Sequence, residues 1–302
     1  MSVAARGLAA MLGCCLIWGL SPLYYKLLSH VPATEVLAHR TLWSAAFLVV
    51  VLAFQGRPGA VRTALAPGRR GLLLTLAAAM TISVNWLLFI WSIQVGVALQ
   101  ASFGYYIFPL LAVALGVAAF GERLSRAAAV AVALAVAAVG VLTVGLGAPP
   151  VVALALAASF AAYGALKRLS PVGAVVSVTA EVLLLAPLAG VWLFAVVGWP
   201  AAPGTALLLI ASGPLTATPL MLFSYAARRL AMTTVGLMQY LNPTLQMLCA
   251  TLAFGEPFGP WQAAGFGLIW IALALYSADG LRRQRSARRR ATAAAASGAR
   301  VT

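Results

Sequence analysis

Charge is what this sequence has least of. Asp, Glu, Lys and Arg make up 8% of its 302 residues, and five of those residues are acidic, whereas an average soluble domain is about 25% charged. A chain so poor in charge cannot cover itself with a water-facing surface, which excludes the soluble globular classes. From Gly71 to Gly121 there are 51 residues without one charged side chain, and Glu181 and Arg228 bracket another 46. At about 1.5 Å per residue, a single helix of either length would be roughly twice the thickness of a bilayer's hydrocarbon, so each stretch holds two spans.

Catalytic and cofactor chemistry is equally thin. The histidines are His30 and His39 alone, with no His-Glu-x-x-His and no Gly-x-Ser-x-Gly, so an intramembrane enzyme lacks its nucleophile, base or metal pair. No Gly-x-x-x-x-Gly-Lys loop is present to hold a nucleotide. Cys14, Cys15 and Cys249 sit in apolar runs without metal or redox spacing and read as small core residues. No metal and no cofactor are expected.

What is abundant is hydrocarbon: 63% of the residues are hydrophobic and the mean hydropathy is +1.00. Apolar runs between Gly, Pro and basic clusters predict spans near 7–28, 33–54, 71–93, 98–119 and 126–146, then 150–166, 172–197, 206–226, 232–254 and 259–279. Arg6 before the first run gives it a signal-peptide flavour, but the run is long and no small-residue cleavage pattern follows, so a first transmembrane helix is expected.

The net charge of +15 does not point to nucleic acid, because no soluble domain remains to present a groove. Of the 20 Lys and Arg residues, 18 fall on alternate loops or the tail, and the exceptions are Lys26 and Arg40. By the positive-inside rule both termini are cytoplasmic and the number of spans is even. Residues 281–302 are arginines followed by Ala, Ser and Gly. They are expected to form a basic disordered cytoplasmic tail attracted to anionic headgroups.

The sequence also matches itself. Tyr106, Pro109, Phe120, Gly121 and Glu122 fall on Tyr240, Pro243, Phe254, Gly255 and Glu256 at one offset, 134. Arg123 and Arg126 follow the first copy, where the second has Pro257 and Pro260, so the basic residues disappear where an inverted copy requires an external loop. A weaker match sets Trp18-Gly19 on Tyr163-Gly164. The expected fold is therefore an all-α membrane protein of ten transmembrane helices, built as two inverted five-helix repeats, 1–147 and 148–280, around a central cavity.

Pro109 and Pro243 fall mid-span, each removing a backbone hydrogen bond and freeing a carbonyl one turn earlier, at Tyr105 and Gln239. Such breaks survive in a membrane where they face protein or a wet cavity, which puts Tyr105, Tyr106, Gln239, Tyr240 and Asn242 beside the substrate. Arg40 and Glu181 lie at similar depth in equivalent spans and are expected to meet or to be bridged by substrate or water. His39 stands next to Arg40 and four residues after Glu35, a spacing that suits a proton-sensitive pair at the outer mouth. Glu122 and Glu256 sit on opposite sides in this topology, and Glu122 is expected to cap a helix or pair with Arg126.

The chain resembles a RarD-type permease of the EamA family, in the drug/metabolite transporter superfamily. The resemblance is carried by Trp18-Gly19, Pro22, Lys26, Pro32, Glu35, His39-Arg40, Asn85-Trp86, Ala101-Ser102, Gly104-Tyr105 and Gly121-Glu122-Arg123, and it covers nearly all of residues 7–280. It implies ten helices in two inverted repeats around a substrate cavity, to which Trp18 and Asn85 of these motifs are assigned. It also implies movement of metabolites or drugs, in a group whose name is tied to amphenicol sensitivity.

The expected function is that of a permease, with a small-molecule substrate and the lipid bilayer as partners. A channel or scaffold is the alternative, less favoured because midplane breaks in inverted repeats suit alternating access. Without a nucleotide site, uphill movement would draw on a proton or exchange gradient.

Overall fold

The computed structural model describes residues 3–298 except 58, 66–67, 122–124, 170–171, 199–201 and 231; at 4, 63–65, 120, 232–233, 283–285 and 287–298 it describes the backbone alone. Glu122 and Arg123, and with them the expected cap at Glu122, lie outside the described residues.

The described chain is helical, with no strand among the described residues. Helix α1 spans Val3–Leu27 and α2 Ala33–Phe54; a short α3, Ala60–Leu65, leads into α4, Gly68–Gln94. Helices α5, Ala98–Phe120, α6, Arg126–Leu146, and α7, Val151–Arg168, follow. Helix α8, Ala174–Trp192, runs on through a π-helical turn, Leu193–Val197, and α9 is Pro203–Ala227. The next stretch is divided into α10, Met232–Gln239, α11, Leu241–Leu248, and a second π turn, Cys249–Ala253, before α12, Pro260–Gly298.

Nine of these helices, α1, α2, α4–α9 and α12, are long and apolar enough to cross a membrane. Apart from the C-terminal end of α12, their ends lie within a few residues of the expected spans, where Pro, Gly or basic residues border the apolar runs. Residues 232–253, expected to be interrupted mid-span at Pro243, are divided there. Pro243 has no N–H to give to Gln239, and the chain closes a tighter turn there, with the Tyr240 N–H donating to the Leu237 carbonyl at 3.3 Å. Pro109, at the matched position, leaves α5 unbroken, so the two prolines do not act alike.

Helix α12 is drawn on as far as Gly298, so the backbone of 281–298 takes helical geometry. Arg and Ala are good helix formers, and a segment that extends an existing helix escapes the cost of nucleation.

The exposed surface is apolar. Leu8, Leu12, Leu16, Leu20, Leu23 and Leu27 form an exposed stripe along α1 at helical spacing, which only a non-aqueous surround accommodates. Polar groups are inside instead: Arg40, Asn85, Ser102, Glu181, Ser212 and Gln246 are all buried. Together these features make the chain a multi-pass membrane protein.

Small residues set the helix spacing, as expected where hydrocarbon surrounds the bundle and packing drives association. On α6 the buried Ala128, Ala131, Ala135 and Ala138 recur every three or four residues and form one face, while Phe266, Ile269, Ala272 and Leu273 bury the facing side of α12. At Gly104 of α5 a Cβ would stand 2.6 Å from the Ala153 carbonyl oxygen of α7, and at Gly213 of α9 it would stand 2.5 Å from the backbone of Trp43 on α2. Helix α6 packs on α12, α5 on α7, α1 on α9 and α11, α4 on α7 and α8, and α2 on α8 and α9.

Candidate functional site

Inside the bundle lies a cavity of about 360 Å³, within the range of small-molecule sites. Its wall comes from α1, α2, α4 and α5 and from α7, α8, α9, α10 and α11. Helices α6 and α12 take no part in this wall, being packed against each other. A second lobe of about 280 Å³ shares Tyr105, Phe108, Phe160, Phe223, Gln239 and Asn242 with the first and reaches Val235, Gly236 and Tyr276.

Of the residues expected at the cavity, Trp18, Arg40, Asn85, Tyr105, Gln239 and Asn242 line the first lobe, and Pro109, Tyr240 and Pro243 line the second. Tyr106 does not. It is 2% exposed, with its hydroxyl against Thr244 and its ring edge-on to Phe266 and Trp270. One residue is 100° of helix rotation, which turns Tyr105 to the cavity and Tyr106 to α12. His39 is also buried away from the cavity lining, with its Nδ1 accepting from Trp43 Nε1 at 3.3 Å.

Asn85 ties three helices together at the wall. Its Nδ2 donates to the Leu156 carbonyl at 3.0 Å and to Ser159 Oγ at 2.9 Å, and its Oδ1 accepts from the Tyr105 hydroxyl at 2.9 Å. With donor and acceptor both engaged, Asn85 acts chiefly as a clamp that fixes the Tyr105 ring.

The expected direct contact of Arg40 with Glu181 is absent. Glu181, 1% exposed, pairs with Lys167, whose Nζ stands 2.7 Å from Oε1. Its oxygens also accept from Tyr163 at 3.0 Å and from Ser177 at 2.9 Å. Lys167 lies on α7 and Glu181 on α8, either side of one short turn, so the lysine reaches the carboxylate first. Sequence reading counts Lys167 as a loop charge and misses the pair.

Arg40 is held differently. It is 6% exposed, and its guanidinium carbon lies 4.0 Å from the Trp86 ring centroid and 5.7 Å from that of Tyr25. Its Nε is buried without a hydrogen-bond partner, and no carboxylate among the described residues pairs with it. A charge at such depth costs at least about 2.5 kcal/mol on insertion scales, and the two aromatic faces offset part of that.

Aromatic rings supply most of the remaining wall. Phe160 is the hub, with ring centroids 4.7 Å from Phe108, 5.7 Å from Tyr105 and 6.2 Å from Tyr163. Sequence reading did not assign Trp86, Phe108 or Phe160 to the cavity, because an aromatic ring on a membrane helix looks the same whether it faces lipid or cavity. Tyr163 carried one signal, its match to Trp18, and both line the first lobe.

A multi-pass helical membrane protein with an internal aromatic cavity, a buried cation and no metal-ligand cluster among the described residues has the form of a solute-handling protein. Known proteins agree. Residues 5–144 match the EamA-like transporter family. The chain is 44% identical to protein RarD of Streptomyces exfoliatus over 92% of this chain and 90% of that one. It is 39% identical to an uncharacterized transporter of Vibrio cholerae, over 95% and 96% of the two chains, and 37% identical to protein RarD of Escherichia coli, over 93% and 96%. A solved crystal structure shares the fold with a TM-score of 0.61, covering 90% of this chain and 96% of its own at 18% identity. The chain belongs to the EamA-like transporter family, as a RarD-type permease.

Proposed function

We propose that this protein is a secondary transporter that moves a small metabolite or drug across the bacterial inner membrane by alternating access. Ten spans in two inverted five-helix repeats, 1–147 and 148–280, carry the movement, with 232–253 as the broken ninth span and both termini cytoplasmic. The observation that carries this reading is the first lobe of the cavity, walled by four spans of each half and by neither α6 nor α12.

Helix pairing supports the same symmetry. Exchanging the halves turns the α5–α7 contact into α11–α1 and the α1–α9 contact into α7–α4, and all four pairings occur. The broken helix beside Gln239 and Asn242 fits the discontinuous spans that transporters place at their binding sites. In this orientation the cavity reaches the cytoplasmic ends of its helices, at Lys167, Ala174, Val235 and Tyr276, which suits an inward-facing state.

Uptake and counterflow in proteoliposomes, against a panel of metabolites and drugs and with or without a pH gradient, test the reading. Saturable flux with counterflow is expected; ohmic single-channel currents would replace the carrier by a channel. Cysteines placed near Arg62 and Arg228 should label from the cytoplasm, and near Gly204 and Gly259 from the outside. Cytoplasmic labelling near Gly259 would end the inverted-repeat reading.

A further inference from the structure

We propose that the cavity selects a monoanionic aromatic solute, with its carboxylate held on the edge of the Arg40 guanidinium and its ring against the aromatic wall. This deepens the transporter reading and rests on it.

The geometry of Arg40 carries the inference. A guanidinium presents a flat face and an in-plane edge bearing five N–H donors. The guanidinium carbon stands over the Trp86 and Tyr25 rings at 4.0 and 5.7 Å, contacts that draw on its charge and use none of its N–H donors. The edge is left over: Nε is buried with no acceptor, and no hydrogen bond from the terminal nitrogens is made to a described residue. A carboxylate fills such an edge with two parallel N–H···O bonds, and the ring contacts hold the group at the cavity wall.

Charge sets the number of negative groups. The Lys167 charge is balanced by Glu181 at 2.7 Å. Among the other described acidic residues, Glu35 has His30 as its charged neighbour, the Glu256 carboxylate accepts from the N–H groups of Ala98 and Leu99, and Asp279 accepts from Ser125, so none pairs with Arg40. That leaves one uncompensated positive charge at the cavity wall, which suits one negative charge and not the two of a phosphate ester. An aromatic lining alone would also suit an organic cation, but Arg40 already occupies the Trp86 face and its field repels a second cation. The lobe of about 360 Å³ lies at the small end of the usual range and suits a single-ring body.

The test uses the full chain in nanodiscs and three ligands that share one body: 3-phenylpropionate, 3-phenylpropionamide and 3-phenylpropylammonium, with binding followed by calorimetry. The acid should bind at least about 10-fold more tightly than the amide, with the ammonium weakest. In Arg40→Gln the preference for acid over amide should fall to within about 2-fold while the amide affinity stays nearly constant, and Arg40→Lys should keep an intermediate preference. Binding of the amide or the ammonium as tightly as the acid, binding of none of the three, or an undiminished preference in Arg40→Gln would overturn the proposal. If Arg40→Gln does not fold, the wild-type ligand order and Arg40→Lys decide. Counterflow in proteoliposomes separates the two readings. Acid-selective, Arg40-dependent binding without counterflow would reject transport and leave the ligand class standing, whereas counterflow of amide or ammonium with no advantage for the acid would keep transport and reject the class.

Discussion

Lys167 and Glu181 form a salt bridge of 2.7 Å across the turn between α7 and α8, with side chains 19% and 2% exposed. Removing one member of a buried pair leaves an uncompensated charge, which costs about 3–5 kcal/mol, whereas replacing both by apolar residues of similar size is often neutral. Glu181→Gln and Lys167→Met alone should therefore sharply lower the yield of folded protein in detergent. The Lys167→Met/Glu181→Leu double variant should recover it. Thermal unfolding followed by size-exclusion chromatography reads the difference, and a double variant as unstable as the worse single one would show that the hydrogen bonds of Tyr163 and Ser177, and not the charge pair, hold the site.

Glu256 closes the other end of the bundle. Its Oε1 and Oε2 accept from the backbone N–H groups of Ala98 and Leu99, each at 2.7 Å. Those donors open α5 and have no carbonyl of their own helix to pair with, and the carboxylate also answers the positive end of the helix dipole. Glu256→Ala should cost about 1–2 kcal/mol of stability, and Glu256→Gln, which keeps one acceptor, less. If the contact also holds the external side shut, a cysteine at Gln100 will label faster from outside in Glu256→Ala than in the parent. Equal labelling rates would restrict Glu256 to a capping role.

Glycines at close helix crossings should be intolerant, and glycines beside open space should not. A methyl group at Gly104 or Gly213 would meet backbone at 2.6 or 2.5 Å, whereas nothing lies within 4 Å of the same position at Gly140. Gly104→Ala and Gly213→Ala should each lose about 1–3 kcal/mol by overpacking. Gly140→Ala, inside α6, should be neutral or gain up to about 1 kcal/mol from helix propensity. Melting temperatures of the three purified variants check the ordering.

Much of this fold was legible because a bilayer asks little of a sequence beyond length and hydrocarbon: the borders of α2, α5 and α6 fall within a residue of the apolar runs that define them. Which proline divides its helix was less so, since Pro243 and Pro109 look alike in sequence and only the surrounding packing decides. Arg40 stood out as a charge where charge is rare. Its surroundings did not: the pairing of Glu181 with Lys167 depends on how two helices meet at a turn, and the Trp86 face over the guanidinium depends on how α4 is rotated against α2. Apolar periodicity fixes neither in a helix that is hydrophobic all round.

The neighbours Tyr105 and Tyr106 give the sharpest check on which faces meet the cavity. Both precede Pro109 in the repeated motif, and sequence alone assigns both to the substrate. In the structure Tyr105 lines both lobes, with Asn85, Phe89 and Phe160 around it. Tyr106 is packed between Phe266 and Trp270. In a background with Cys14, Cys15 and Cys249, all buried and unbridged, replaced by Ala, single cysteines at Tyr105, Tyr106 and Gln239 are compared by reaction with a small charged thiol reagent. Cysteines at 105 and 239 should react, because a wet cavity both admits the reagent and supports the thiolate it needs. The cysteine at 106 should stay silent until the protein is unfolded. Loss of the Tyr105 ring also removes the hydroxyl that Asn85 Oδ1 accepts from, so Tyr105→Phe serves as a companion: it keeps the ring and loses only the hydrogen bond, worth about 1 kcal/mol. Its fold should survive. Equal reactivity at 105 and 106 would mean that α5 is rotated from the orientation that sets Tyr105 on the cavity.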